Sequence, residues 1–308
     1  MPTLLLHHPK FLEHETPHGH PERPDRLRAI DRILEHERFQ QLERDLAKPA
    51  NDEQIARCHP MDYIARIRRL APEEGFARVD EDTAMSPGSL DAALLSAGAA
   101  CIAVDEVMTG KVTNAFCAIR PPGHHAEKAS AMGFCFFNNA AIAARHAQAV
   151  HGAERVAIMD FDVHHGNGTQ DIFWDDPSVL YASTHQMPLY PGTGALRETG
   201  AGNIVNAPLS AGANGAVFQE AMTGRILPAM KDFRPDLVII SAGFDAHVRD
   251  PLAELELVEA DFAWATYHLM EIADQFCGSR VVSVLEGGYD LEGLARSTAA
   301  HIMALMDS

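Results

Sequence analysis

The chain has 308 residues, 46% hydrophobic and 22% charged, with 25 Lys and Arg against 43 Asp and Glu for a formal net charge of −18. These are the proportions of an ordinary globular protein, and no apolar run approaches the roughly 20 residues that span a bilayer. The acidic balance speaks against direct binding of nucleic acid, which needs a basic surface, and is compatible with cationic substrates such as lysine-bearing peptides or polyamines.

Leu4, Leu5 and Leu6 form a short apolar patch that ends in His7-His8-Pro9. It is too short for a signal-peptide core and has no basic start, so it reads as a first strand in a cytoplasmic protein. A helix is predicted from about Pro24 to Arg44, with proline in its first turn. Further on, helical patterns near 87–109, 138–150, 214–231, 258–276 and 291–306 alternate with apolar runs at Ala115–Ile119, Val156–Phe161, Val179–Ser183, Leu237–Ser241 and Val281–Leu285. Buried strands alternating with helices predict an α/β fold of three layers, α/β/α, around a mostly parallel central sheet. No repeat, low-complexity tract or Ser/Gly linker divides the chain, so residues 1–308 are expected to form one domain. The five cysteines (Cys58, Cys101, Cys117, Cys135, Cys277) contain no CxxC pair and read as buried thiols, neither disulfides nor zinc ligands.

Four polar or glycine-rich clusters follow four of the strands: Arg120-Pro-Pro-Gly-His-His, Asp160-Phe-Asp-Val-His-His-Gly, Gly243-Phe-Asp245 and Glu286-Gly-Gly-Tyr289. In open parallel sheets, sites form at the carboxyl ends of strands, so these distant stretches are expected to converge. Alternation along an extended segment would put Asp160, Asp162 and His164 on one side, with Phe161 and Val163 on the other. Three buried polar groups are costly unless something binds them, and oxygen and nitrogen donors suit zinc. Asp162, His164 and Asp245 are the expected ligands. For one Asp-x-His alone, a salt bridge or a helix cap is the commoner outcome; the three matching clusters favour a metal. A binuclear manganese site of the arginase kind would want more carboxylates, and Asp245 is followed by Ala246 and His247.

His124-His125, Asp160-x-Asp162-x-His164, Asp245 and Gly287-Gly288-Tyr289 resemble the histone deacetylase and acetylpolyamine amidohydrolase superfamily. So do His20-Pro-Glu-Arg-Pro, Gly133-Phe134-Cys135-Phe136-Phe137-Asn138-Asn139 and Pro191-Gly192-Thr193-Gly194. The match runs in the family's order over nearly the whole chain, and it is closer to the class II and bacterial-type members, with Asn167 where class I enzymes carry Asp.

The resemblance implies one catalytic zinc on Asp162, His164 and Asp245. It makes His125 the general base and then acid, and His124 an electrostatic partner, both in a loop because of Pro121-Pro122-Gly123. Asp160 would orient His124 and Asn167 would orient His125; an uncharged Asn should leave His125 less basic than an Asp would. Tyr289 would donate to the oxyanion, with Gly287 and Gly288 allowing close approach. Phe134 and Tyr190 would wall a narrow tunnel floored by Gly133, while Phe136 and Phe137 read as core. Leu252 matches a tunnel-mouth position where polyamine-selective relatives carry Glu, which argues mildly against polyamine specialisation. A structural potassium would lie on Asp160, Asp162, His164, Ser183 and Thr184, and a second on the carbonyls of Phe173, Asp176, Val179 and Asn203. Three readings stay open: a deacylase of acetyl-lysine in peptides or proteins, a hydrolase of small acylated amines including polyamines, and a non-catalytic acyl-lysine binder. No membrane partner is expected, and homo-oligomerisation stays open. Substrate choice is expected to rest on rim loops 11–26, 72–90 and 185–202.

Overall fold

The described residues form ten strands. They are β1 (Thr3–His7), β2 (Glu43–Leu46), β3 (Ala77–Arg78), β4 (Ala84–Met85), β5 (Asn114–Cys117), β6 (Val156–Asp160), β7 (Val179–Gln186), β8 (Ile204–Leu209), β9 (Leu237–Ala242) and β10 (Val281–Leu285). The computed structural model describes residues 2–307; Met1 and Ser308, the ends of the expected 1–308 domain, lie outside the described residues. Eight strands form one sheet in the order β2-β1-β5-β10-β9-β6-β7-β8, every pairing parallel, while β3 and β4 make a separate antiparallel pair. Every residue of β5, β6, β9 and β10 is buried, as expected for strands covered on both faces.

Helices Ser89–Met108 and Asn139–His151 pack together against the sheet, and Glu259–Cys277, Leu291–Met306 and Asp25–Ile33 form a second packed group. The crossover from β5 to β6 and that from β9 to β10 run in opposite directions along the sheet. Right-handed crossovers therefore put their helices on opposite faces, which gives the three layers. Among the described residues, no helix is long and apolar enough to cross a membrane.

Two predicted elements differ, and strand β8 was not predicted. The helix expected to reach Arg44 ends at Ile33, and Glu43–Leu46 is instead a fully exposed edge strand paired with Leu4–His7. Arg44 donates to the Leu34 carbonyl at 2.8 Å and so caps the helix it was expected to extend. The 214–231 helix is two α segments, Gly215–Ala221 and Leu227–Phe233, joined by a π turn at Met222–Ile226; Pro228 has no N–H to continue the regular ladder. Strand β8, with Asn206 and Pro208 inside it, lacks the apolar run that marks the other strands.

Candidate active site

The sheet order β5-β10-β9-β6 makes four loops neighbours, and these are the loops that carry the polar clusters. After Asp160 the strand ends, and the extended alternation expected as far as His164 is replaced by two carboxylate-capped turns. Asp160 Oδ1 accepts from the Asp162 N–H at 3.1 Å, and Asp162 Oδ1 accepts from the His164 N–H at 2.9 Å. The outcome for side chains is the same: Asp160, Asp162 and His164 face the loop cluster, and Phe161 and Val163 enter the hydrophobic core.

His164 Nδ1 lies 3.1 Å from Asp162 Oδ1 and 3.1 Å from Asp245 Oδ2, and all three residues are buried. The other carboxylate oxygens are held by backbone: Gly287 N–H donates to Asp162 Oδ2 at 2.8 Å and Val163 N–H to Asp245 Oδ1 at 2.8 Å. A Cβ on Gly287 would collide with carboxylate oxygens of both aspartates, so only glycine lets this loop close over them. Burial, reinforced by the Asp162 charge, pushes the Asp245 carboxyl up to about 7. Burial disfavours charge on His164, yet the two carboxylates outweigh it and carry the imidazole up to about 10. Two carboxylates and one imidazole competing for protons in a dry cradle make a donor set that a divalent ion satisfies, and its O, O, N composition suits zinc.

His124 and His125 sit beside this cradle with ring centres 4.0 Å apart. His124 Nδ1 donates to Asp160 Oδ2 at 3.0 Å, where the Tyr181 hydroxyl also donates at 3.0 Å, and His124 Nε2 is 3.8 Å from Asp162 Oδ2. His125 Nδ1 is 2.8 Å from Asn167 Oδ1. Burial works against charge on His124, but Asp162, Asp160 and Glu286 together hold its pKa well above the ordinary value. Burial and the neighbouring His124 and His164 hold His125 well below it. Their surroundings therefore push the two rings in opposite directions; a divalent ion on Asp162 would offset part of the field that favours charge on His124.

Sequence reasoning left Glu286 without a role. Its fully buried carboxylate accepts from the backbone N–H groups of Gly123 and His124, at 2.7 and 3.1 Å, and from the Ser241 hydroxyl at 2.7 Å. It thereby ties the histidine loop to β9 and β10. The signal was available: a charged residue directly after a fully buried strand needs a partner.

Beside the cradle lies a cavity of about 210 Å³, lined by Phe134, Tyr190, Leu252, Gly133, His125, His164 and Tyr289, with Asp82 and Leu189 completing it. Phe134 takes a left-handed backbone, φ 69°, and its ring meets Tyr289 edge-on at 5.9 Å. Tyr190 stands over His125 at 5.1 Å. Gly133 at φ 56° packs where a Cβ would strike the His125 ring. Gly288 sits at φ 122° beside Tyr289. Phe136 and Phe137 are core. Asp82, in the 72–90 loop, accepts from the Gly133 N–H at 3.1 Å; nothing in its local sequence marks it out.

The residues expected at the first monovalent site gather at the ends of β6 and β7, where Asp160 pairs with Ser183 in register and Thr184 follows. At the second expected site a side-chain amide meets the carbonyls. The carbonyls of Phe173, Asp176 and Val179 do converge, but the Asn203 side-chain Nδ2 donates to all three, at 2.8, 3.0 and 2.8 Å. The Asn203 carbonyl instead accepts from Tyr181 N–H within the sheet. Ala201 N–H donates to Asn203 Oδ1 at 3.0 Å, so the amide cannot turn round. A separate trio, Asp105, His146 and His151, also has metal-ligand composition. There Arg57 donates to His146 Nδ1 at 2.7 Å, leaving the proton on Nε2 facing Asp105 at 2.8 Å, so hydrogen bonds account for it.

A parallel sheet with a buried carboxylate–imidazole cradle at its carboxyl edge, paired histidines and a tyrosine under a narrow aromatic slot defines an amide-hydrolysing enzyme of the deacetylase kind. The histone deacetylase domain matches residues 20–305, and the chain belongs to that family. It is 41% identical over 277 residues to a histone deacetylase-like amidohydrolase of Pseudomonas aeruginosa, covering 88% of this chain and 73% of that protein. It is 38% identical over 326 residues to the human polyamine deacetylase HDAC10, covering 99% of this chain and 48% of that protein. The crystal structure of the HDA15 HD domain superposes with a TM-score of 0.95 at 37% identity, over 100% of this chain and 88% of that one.

Proposed function

We propose that this chain is a zinc-dependent deacylase of N-ε-acetyl-lysine in peptides or proteins, acting as one domain, with the metal on Asp162, His164 and Asp245. The observation that carries the reading is that His164, His125 and Tyr289 face the same narrow cavity. Zinc held there supplies a Lewis acid for the acyl carbonyl and a bound water acidic enough to be a nucleophile near neutral pH.

The protein's own groups do the rest. Neutral His125 accepts the attacking water's proton and returns it to the leaving amine. Cationic His124, oriented by Asp160, stabilises developing negative charge. Tyr289, whose hydroxyl burial keeps protonated, donates to the oxyanion. Phe134 and Tyr190 pack the flat, neutral acyl-lysine stem and exclude bulkier chains. A structural potassium beside Asp160 and Ser183 belongs to the same reading. So does a reducing, cytoplasmic setting, which the five buried, unpaired cysteines support.

Hydrolysis of an acylated polyamine is the second reading, favoured by the human polyamine deacetylase among the relatives and opposed by the apolar Leu252 at the slot. The test is turnover of a fluorogenic acetyl-lysine peptide beside an acetylated polyamine, using chelated and zinc-reconstituted protein. Zinc-restored turnover of the peptide supports the proposal. Preference for the polyamine moves it to the second reading, and binding without turnover of either leaves a non-catalytic acyl-lysine binder.

A further inference from the structure

Asn167 is not the end of the hydrogen-bond chain that starts at His125. Its Nδ2 donates to Glu127 Oε1 at 2.8 Å and points at the Met132 sulfur at 3.3 Å, while its Oδ1 lies 2.8 Å from His125 Nδ1. Asn167 and His125 are buried, and Glu127 is partly so.

An asparagine amide presents a donor on one side and an acceptor on the other, so by itself it does not dictate which nitrogen of a facing imidazole carries the proton. Turned one way, Oδ1 accepts from Nδ1–H and leaves the Nε2 lone pair free. Turned the other way, Nδ2 donates to a bare Nδ1, the proton moves to Nε2, and the ring cannot act as a base. An Asp partner has no such ambiguity, because a carboxylate only accepts.

We propose that Glu127 is a positioning residue that removes this ambiguity, holding His125 in the tautomer the chemistry needs. A carboxylate can only accept, so the Asn167 amide must turn its nitrogen toward Glu127. Turned round, Oδ1 would face the carboxylate and the thioether, two acceptors, in a nearly dry site. With the nitrogen committed, Oδ1 faces His125 and Nδ1 keeps the proton. The chain His125–Asn167–Glu127 thus does in two steps what a carboxylate beside the imidazole does in one. Glu127 touches neither the cavity nor the cradle. The inference rests on the reading of His125 as the general base, given above.

The experiment is a mutant cycle on the zinc-loaded protein, read by steady-state kinetics and by the ¹⁵N resonances of His125. E127Q offers an amide that can itself turn, so the lock weakens. A roughly 10-fold loss in kcat with KM little changed is expected, the scale for a partner of a site histidine. N167D sets two carboxylates face to face and is also expected to lose activity. In N167D/E127Q the Gln amide donates to the introduced carboxylate, so activity should rise above that of N167D alone. E127Q is thus harmful in the parent and helpful in the N167D background, a reversal that mere loss of packing does not produce. The ¹⁵N spectrum should show Nδ1–H for His125 in the parent and a tautomer mixture in E127Q. The proposal is overturned if His125 keeps a pure Nδ1–H signature in E127Q, or if E127Q and N167D losses simply multiply. The tautomer readout needs no turnover, so a parent protein inactive on every acyl-amine would sink the functional reading while the tautomer result still decides this one.

Discussion

Arg26 donates from Nε to the carbonyl of Gly288 at 2.7 Å, and its guanidinium lies 5.0 Å from the centre of the Tyr289 ring. The same side chain donates to the Glu286 carbonyl at 2.5 Å and to Glu22 Oε1 at 3.0 Å. Glu22 also takes two bonds from Arg120, at 2.5 and 2.7 Å. One buried carboxylate therefore bridges two buried guanidiniums, and through them braces the tyrosine loop and the start of the histidine loop.

Removing that carboxylate should be costly. Glu22→Ala leaves Arg26 and Arg120 without their counter-ion, and a loss of about 3–5 kcal/mol is expected for a broken buried pair. Urea unfolding with a shared slope checks it; a change under about 1 kcal/mol would show that the arginines find other partners.

Tyr289→Phe keeps the ring packed under Arg26 and deletes only the hydroxyl. A fall in kcat of at least ~100-fold, with KM nearly constant, is the scale for one oxyanion donor. Near-parental turnover would take Tyr289 out of the chemistry.

Asp245→Asn removes one charge from the cradle without changing its volume. Zinc affinity should drop by more than ~100-fold, beyond the cost of losing an outer-shell partner, read as metal content after dialysis against a buffered zinc series. Retention of one zinc per chain at the parental affinity would contradict the assignment of this aspartate.

A carboxylate placed at Leu252 would face the slot that Leu252 lines. Leu252→Glu should shift the kcat/KM ratio toward an acetylated polyamine by about 5-fold, the worth of a half-exposed ion pair. An unchanged ratio would mean that a substrate cation does not pass this side chain.

His301 is fully buried between the Thr266 and Ser283 hydroxyls, at 2.6 and 2.8 Å, and burial brings its pKa down to about 3. Since the folded value is depressed below 6.5, the unfolded chain takes up the proton first as pH falls. Stability is lost through this group from pH 6.5 down to about 3, by up to about 1.4 kcal/mol per pH unit. His301→Gln should flatten the stability–pH slope by one proton between pH 6 and 4.5; an identical slope would show that His301 is charged in the fold.

Much of this architecture is written locally. Val281–Leu285 is apolar but for Ser283 and stops at Glu286, and Val156–Met159 is apolar throughout before Asp160; burial and a sudden charge mark both the strand and its functional end. What escaped reading was set between distant segments. Glu43–Leu46 is a strand only because β1 lies beside it, and Ile204–Leu209 pairs with β7 despite Pro208. Glu127 meets Asn167 from 40 residues away, and Asp82 reaches Gly133 from another loop; neither residue carries a periodicity. Asn203 shows the same limit from the other side, since which of its groups faces three carbonyls depends on Ala201.

The two margins of the sheet are closed to strand addition. On one flank β2 offers Glu43, Arg44 and Asp45 to solvent; on the other, β8 includes Pro208, and its Asn206 carbonyl already accepts from Arg225 at 2.7 Å. Charge, an absent N–H and an occupied acceptor each discourage a foreign strand from docking. Self-association of this enzyme through cross-strand ribbons is thereby disfavoured.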